Sequence, residues 1–192
     1  MGIGKRATAA AVATIMGASL LLAGSATATA APAPSVSGKA LLTWNAKCPS
    51  MAQSLKPVAP ATSAAGRLVL PVITASGKEI KLGGSSEVYI AGAPQSVLTD
   101  FTIQIAGTNA GKFLVTAPAS TTPTIALFHI AKFKKVAVNA KTHQWSGVLQ
   151  APLRGTAQVP AQTVAQLLGA MCGAPVNPGD NLGSITVTVR SS

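Results

Sequence analysis

The sequence predicts a mainly β protein, a β-sandwich or flattened barrel with one short helix in its C-terminal half. Three observations predict it. Apolar residues recur at every second position in many short stretches. Gly, Pro and Asn punctuate those stretches at turn spacing. One segment switches to helical spacing, with Val164, Leu167, Leu168 and Met171 at i, i+3, i+4 and i+7. Many strands and one helix pack either as two facing sheets or as a sheet closed on itself.

Residues 1–30 read as an address. Lys5 and Arg6 precede an uncharged run from Ala7 to Ala23, and two nested A-x-A patterns follow, Ala26–Thr27–Ala28 and Ala28–Thr29–Ala30. This is the layout of a secretory signal peptide, with cleavage expected after Ala30 and Ala28 the near alternative. Leu22–Ala23–Gly24–Ser25 resembles a lipoprotein box with serine where lipidation needs cysteine, so no lipid is expected. No later segment offers about 18 unbroken apolar residues, so no transmembrane span is expected after cleavage. The predicted location is extracellular, free or held non-covalently at the cell surface.

Residues 31–38 are rich in Pro, Ala and Ser and read as a flexible spacer. Residues 39–192 read as a single β domain, long enough to bury a core. Ala40, Leu42, Trp44 and Ala46 share one face of a first strand. Gly66–Thr74, Glu79–Leu82 and Glu87–Ala91 follow, with turn signals at Ser76–Gly77 and Gly83–Gly84. Pro71 marks its strand as an edge or a bulge. Phe101, Ile103 and Ile105 alternate in the next strand, and Lys112–Ala117 lies beyond a turn at Asn109–Gly111. Thr124–Phe133, Val136–Ala140 and Gln144–Leu153 are further candidates, and Ile185, Val187 and Val189 alternate in the last. The helix has Pro160 at its first position and Gly173 then Pro175 after its end.

Cys48 and Cys172 are the two cysteines, and both follow the leader. In an oxidising compartment an even count reads as one disulfide, here stapling the end of the first strand to the end of the helix. The closed loop exceeds 120 residues, for which the chain-entropy estimate is about 4–5 kcal/mol.

The leader holds two of the 15 basic residues and none of the four acidic ones, leaving +9 on the rest. Only 10% of the chain is charged, so the excess comes from scarce carboxylates rather than a basic tail. It serves solubility, or affinity for an anionic cell-wall polymer or envelope surface. Nucleic acid is not indicated, because aromatics are few and no recognition motif occurs. The local cluster is Lys132, Lys134, Lys135 and Lys141 with His143, a candidate anion-contact patch if Val136–Ala140 pairs back on Thr124–Phe133. Lysines at strand ends also protect an edge from aggregation.

The carboxylates Glu79, Glu87, Asp100 and Asp180 are scattered. No glycosidase pair, zinc spacing, nucleophile elbow or phosphate loop is visible. No catalytic residue, metal or cofactor is assigned, and the protein is expected not to be an enzyme. His129 shares strand parity with Ile125, Leu127 and Phe133, as a core or rim residue, and His143 reads as an exposed turn. Trp44 and Trp145 sit in strand patterns and read as core. Asp180, within Asn177–Asn181, reads as a tight turn.

Leu41–Leu42–Thr43–Trp44, Gly66–Val72, Val97–Ile103, the helix at Thr163–Leu168 and Gly183–Val187 together resemble secreted all-β domains of actinobacteria. More distantly they are similar to the HtaA-type haem-binding domain in its opening Leu-Thr-Trp strand. HtaA-type domains hold haem iron through a tyrosine near the N-terminus supported by a histidine. The region after Trp44 has no tyrosine; Tyr89, mid-chain, is the one in the sequence. No haem-holding residue carries over from that pattern; for a haem or small-ligand carrier the candidate ligand contacts are Tyr89 and His129. The resulting expectation is a secreted binding or cell-surface structural protein. The alternatives are a haem or small-ligand carrier, a hydrolase, and an inhibitor presenting Ala117–Pro123.

Overall fold

The computed structural model describes residues 36–117, 124–156 and 159–191. The leader, most of the spacer and residues 118–123 of the inhibitor-loop candidate lie outside the described residues.

Among the described residues eleven strands and two helices follow in order: β1 (Val36–Trp44), α1 (Met51–Ser54), β2 (Leu55–Val58), β3 (Thr62–Ala64), β4 (Arg67–Ala75), β5 (Glu79–Leu82), β6 (Ser85–Ile90), β7 (Ala93–Ala106), β8 (Ala110–Thr116), β9 (Thr124–Ala137), β10 (Thr142–Gln150), α2 (Ala161–Cys172) and β11 (Asn181–Ser191). The sheet is closed rather than split into a sandwich. β7, β5, β4, β1, β11, β10, β9 and β8 pair in that order, and β8 pairs back on β7, making an eight-stranded antiparallel barrel. Closure leaves no barrel edge to cap. The β1–β11 ladder spans both strands, from Val36 opposite Ser191 to Trp44 opposite Gly183. It begins three residues inside the segment read as spacer.

β7 serves two sheets. Its second half belongs to the barrel, while Ala93–Leu98 pairs with β6, and β6 with β2, as a flap beyond the barrel wall. The register shifts between Thr99 and Thr102, where Asp100 takes φ 52°. Such a bulge bends the strand, which turns the flap away from the barrel. β2 ends the flap, and β3 pairs separately with the start of β4 on the barrel. β2 carries Lys56 and Pro57, residues that blunt an edge.

The barrel interior is lined by apolar side chains. Phe101, Phe113 and Phe128 are at most 2% exposed. Their ring centroids lie 5.7 and 5.9 Å apart in sequence, and Trp44 continues the row 6.0 Å from Phe128. Leu42, Leu70, Ile80, Ile103, Ile130 and Val187 fill the remainder. Truncating one such phenylalanine costs about 3–5 kcal/mol in a packed core. α2 buries Val164, Ala165, Leu168, Met171 and Cys172 and packs on α1 and β6. Pro160 stands just before its first turn, and Gly173 closes it in the left-handed conformation at φ 69°.

Three sequence expectations change. Thr124–Phe133 and the first two residues of Val136–Ala140 are one strand, not a hairpin. A bulge at Lys132 (φ 53°) carries the chain past the irregularity, and the reversal comes later, at Asn139–Lys141. His129 does not share a face with Leu127 and Phe133. The register slips between Phe113 and Leu114 opposite Leu127, so Leu127 and Phe128 are both buried and His129 is turned outward. Finally, α2 is not the sole helix, because α1 forms directly after the first cysteine.

Candidate ligand site

The disulfide builds the frame of the site. Cys48 and Cys172 are joined. Cys48 lies in the turn leading to α1, and Cys172 is the last residue of α2. Two hydrogen bonds support the bridge: Ser50 N–H donates to Cys172 O at 3.2 Å, and the Ser54 hydroxyl donates to Met171 O at 2.8 Å. Gly173 must be glycine here, since its φ is positive and a Cβ would stand 2.7 Å from Ser50 Oγ. Lys47 pairs with Asp180 at 2.8 Å and Asn177 N–H donates to Asp180 Oδ2 at 2.7 Å, fixing the turn before β11 to the turn after β1. The Lys47 hydrogen bond, then the Asn177 N–H, hold the Asp180 carboxyl below its ordinary range.

A groove of roughly 620 Å³ opens between these two helix ends and the flap. Ser50, Gln53 and Gly173 line one side, and Lys56, Tyr89 and Ile90 the other. The flap's register explains the grouping. Lys56 stands opposite Glu87, and Tyr89 is two residues further on the same face of β6. The Tyr89 hydroxyl donates to Glu87 Oε2 at 3.0 Å, and Lys56 Nζ lies 3.7 Å from the centre of the Tyr89 ring. The hydrogen bond to Glu87, and then its negative charge, raise the Tyr89 pKa above the ordinary phenol value. The arrangement offers a phenol oxygen with a proton acceptor beside it and a cation over its ring, in a largely apolar cleft.

The other ligand candidate is elsewhere. His129 lines a second groove of roughly 460 Å³ with Lys112, Leu153 and Arg154, and shares no lining residue with the Tyr89 groove. The two candidates are therefore not brought to one site. The lysine cluster is divided as well. Lys134 and Lys135 line a depression of roughly 430 Å³ at one barrel mouth, over Phe133 and Trp145, while Lys132 sits at the bulge and Lys141 in the turn. His143 is not an exposed turn residue. It lies in β10, half-buried beside Trp145, with its Nδ1 buried and without a hydrogen-bond partner among the described residues.

Sequence reasoning missed Glu87, Lys56 and Gln53 as neighbours of Tyr89. The Glu-x-Tyr spacing on one strand was a readable signal. The approach of Lys56 and α1 depends on long-range pairing and was not.

These features define a closed β-barrel with a disulfide-framed groove on an attached flap. Among solved structures, the C-terminal domain of HtaA from Corynebacterium glutamicum shares this fold. Its TM-score is 0.58 at 12% identity, over 83% of this chain and all of that one. The heme binding protein HtaB from the same organism aligns at TM-score 0.47 and 12% identity, over 83% of this chain and 96% of that one. No protein-family model and no curated protein matches the sequence.

Proposed function

We propose that the protein is a non-enzymatic carrier, exported by its leader, that binds a flat, largely apolar anionic ligand of the haem class in the Tyr89 groove. The observation that carries this reading is the position of Tyr89. The segment after β1 forms α1 and lines the groove, and Tyr89, the single tyrosine of the chain, reaches the same groove from β6.

The residues present fit such a group. Haem would supply a ferric centre that takes a phenolate oxygen, and Tyr89 is the residue to provide it. Glu87 already accepts the phenol hydrogen bond and is placed to hold the proton. The Lys56 ammonium offsets the charge of a phenolate or meets a carboxylate of the ligand. The apolar part of the groove lining would cover part of the ligand's flat face.

Titration with haemin tests the reading by its absorbance. The expected outcome is a saturable Soret band, lost in Tyr89→Phe and kept in His129→Ala. A band that survives Tyr89→Phe, or no band at all, overturns it.

A further inference from the structure

The β9–β10 hairpin presents a second surface, separate from the Tyr89 groove. Lys134, Lys135 and Lys141 are exposed, and Val136 and Val138 beside them are each 57% exposed. Large apolar side chains this open are among the few such residues described. Strand alternation puts Lys134 and Val136 on the outer side of β9 and Lys135 on the inner side. Lys135 Nζ stands 5.1 Å from the centre of the Trp145 ring, above the depression that Ile105, Phe133 and Asn109 complete. The two ion pairs among the described residues, Lys47–Asp180 and Lys81–Glu79, involve none of these lysines. Three lysines with no carboxylate partner among the described residues and two bare valines thus lie on the one hairpin, although only Lys134 and Lys135 line the depression.

We propose that this hairpin and the barrel mouth beside it dock on an anionic phospholipid surface. Lys135 holds a headgroup phosphate over Trp145, Lys134 and Lys141 add further contacts, and Val136 and Val138 enter the acyl boundary. The lysines alone would suit any polyanion. The valines decide for lipid, because a hydrated polymer would leave them in water, whereas a bilayer buries them. Each lysine near an anionic leaflet contributes roughly fivefold in partitioning.

Co-sedimentation of the purified protein with phosphatidylglycerol vesicles, phosphatidylcholine vesicles and, separately, binding to soluble dextran sulfate tests this. Binding to phosphatidylglycerol and not to phosphatidylcholine is expected. Lys134→Gln/Lys135→Gln/Lys141→Gln should weaken it by about a hundredfold. Val136→Ser/Val138→Ser should weaken vesicle binding by roughly fivefold or more and leave dextran sulfate binding unchanged. All five side chains are exposed, so both variants should keep the wild-type melting temperature and the haemin response, which separates this outcome from that of the groove. Equal binding to both lipids, no binding, or vesicle binding indifferent to the valine substitutions overturns the proposal.

Discussion

Tyr89 is the single tyrosine of the chain, so its ionisation can be followed by tyrosinate absorbance without overlap. Glu87 raises its pKa by accepting a hydrogen bond from the neutral phenol and by its charge. The titration midpoint should lie above the ordinary value of about 10 and fall back toward it in Glu87→Gln. An unchanged midpoint in that variant would show that the contact is not made in solution. Asp180 gives the opposite sign. Its folded pKa is depressed by Lys47 and the Asn177 N–H. The stability it contributes is present above the ordinary Asp pKa and is lost as pH falls through the depressed folded value. Asp180→Asn should therefore lower stability near neutral pH and remove that part of the acid dependence, read from melting temperatures across an acid series. Both contacts were partly legible: the turn around Asp180 from its composition, the Glu87–Tyr89 spacing from strand alternation. Their cationic partners were not, because Lys47 and Lys56 arrive through tertiary packing.

At the scale of elements, irregularities in β9 explain most of what the sequence hid. Period-2 reading assumes an unbroken ladder, and β9 slips twice, opposite Leu114 and opposite Gly147. The first slip turned His129 outward, and the second made one strand look like two. Gly147 is tied to the second slip. A Cβ there would meet Ile130 Cγ2 at 2.6 Å and Phe133 Cδ2 at 3.0 Å, inside the packed barrel. Gly147→Ala should destabilise by about 1–3 kcal/mol in denaturant titration, the usual cost of overpacking. The helix pair gives a second test. Cys48 and Cys172 are 124 positions apart, so Cys172→Ser should cost about 4–5 kcal/mol by the loop-closure estimate. Because the same bridge holds α1 against α2, the variant should also weaken ligand uptake at the Tyr89 groove, measurable by haemin titration below its melting temperature.

For the molecule as a whole, the number and places of most strands were readable, since buried residues alternate in β1, in β11 from Gly183 on and in the barrel half of β7 from Phe101 to Ile103. Closure into a barrel was not. The same strands serve a sandwich, and the choice rests on β1 joining β4 to β11 and on β8 meeting β7, all pairings that periodicity alone does not reveal. β2 and β3 went unseen because Leu55–Val58 contains a proline and Thr62–Ala64 is exposed throughout. That contrast predicts an order of opening. Amide hydrogen exchange should be fastest in β3, then in β2, and slowest in β1, β10 and β11, which are paired on both sides. Uniform protection across flap and barrel would mean that the flap does not open independently.

The Cys48–Cys172 bridge has a bearing on survival among proteases. A cut at any peptide bond between the two cysteines leaves both fragments tethered through sulfur, and most of the chain lies in that interval. Barrel strands on either side of a nick remain laced to their neighbours. A clipped molecule would therefore travel intact through gel filtration and fall into two pieces only after reduction in denaturant.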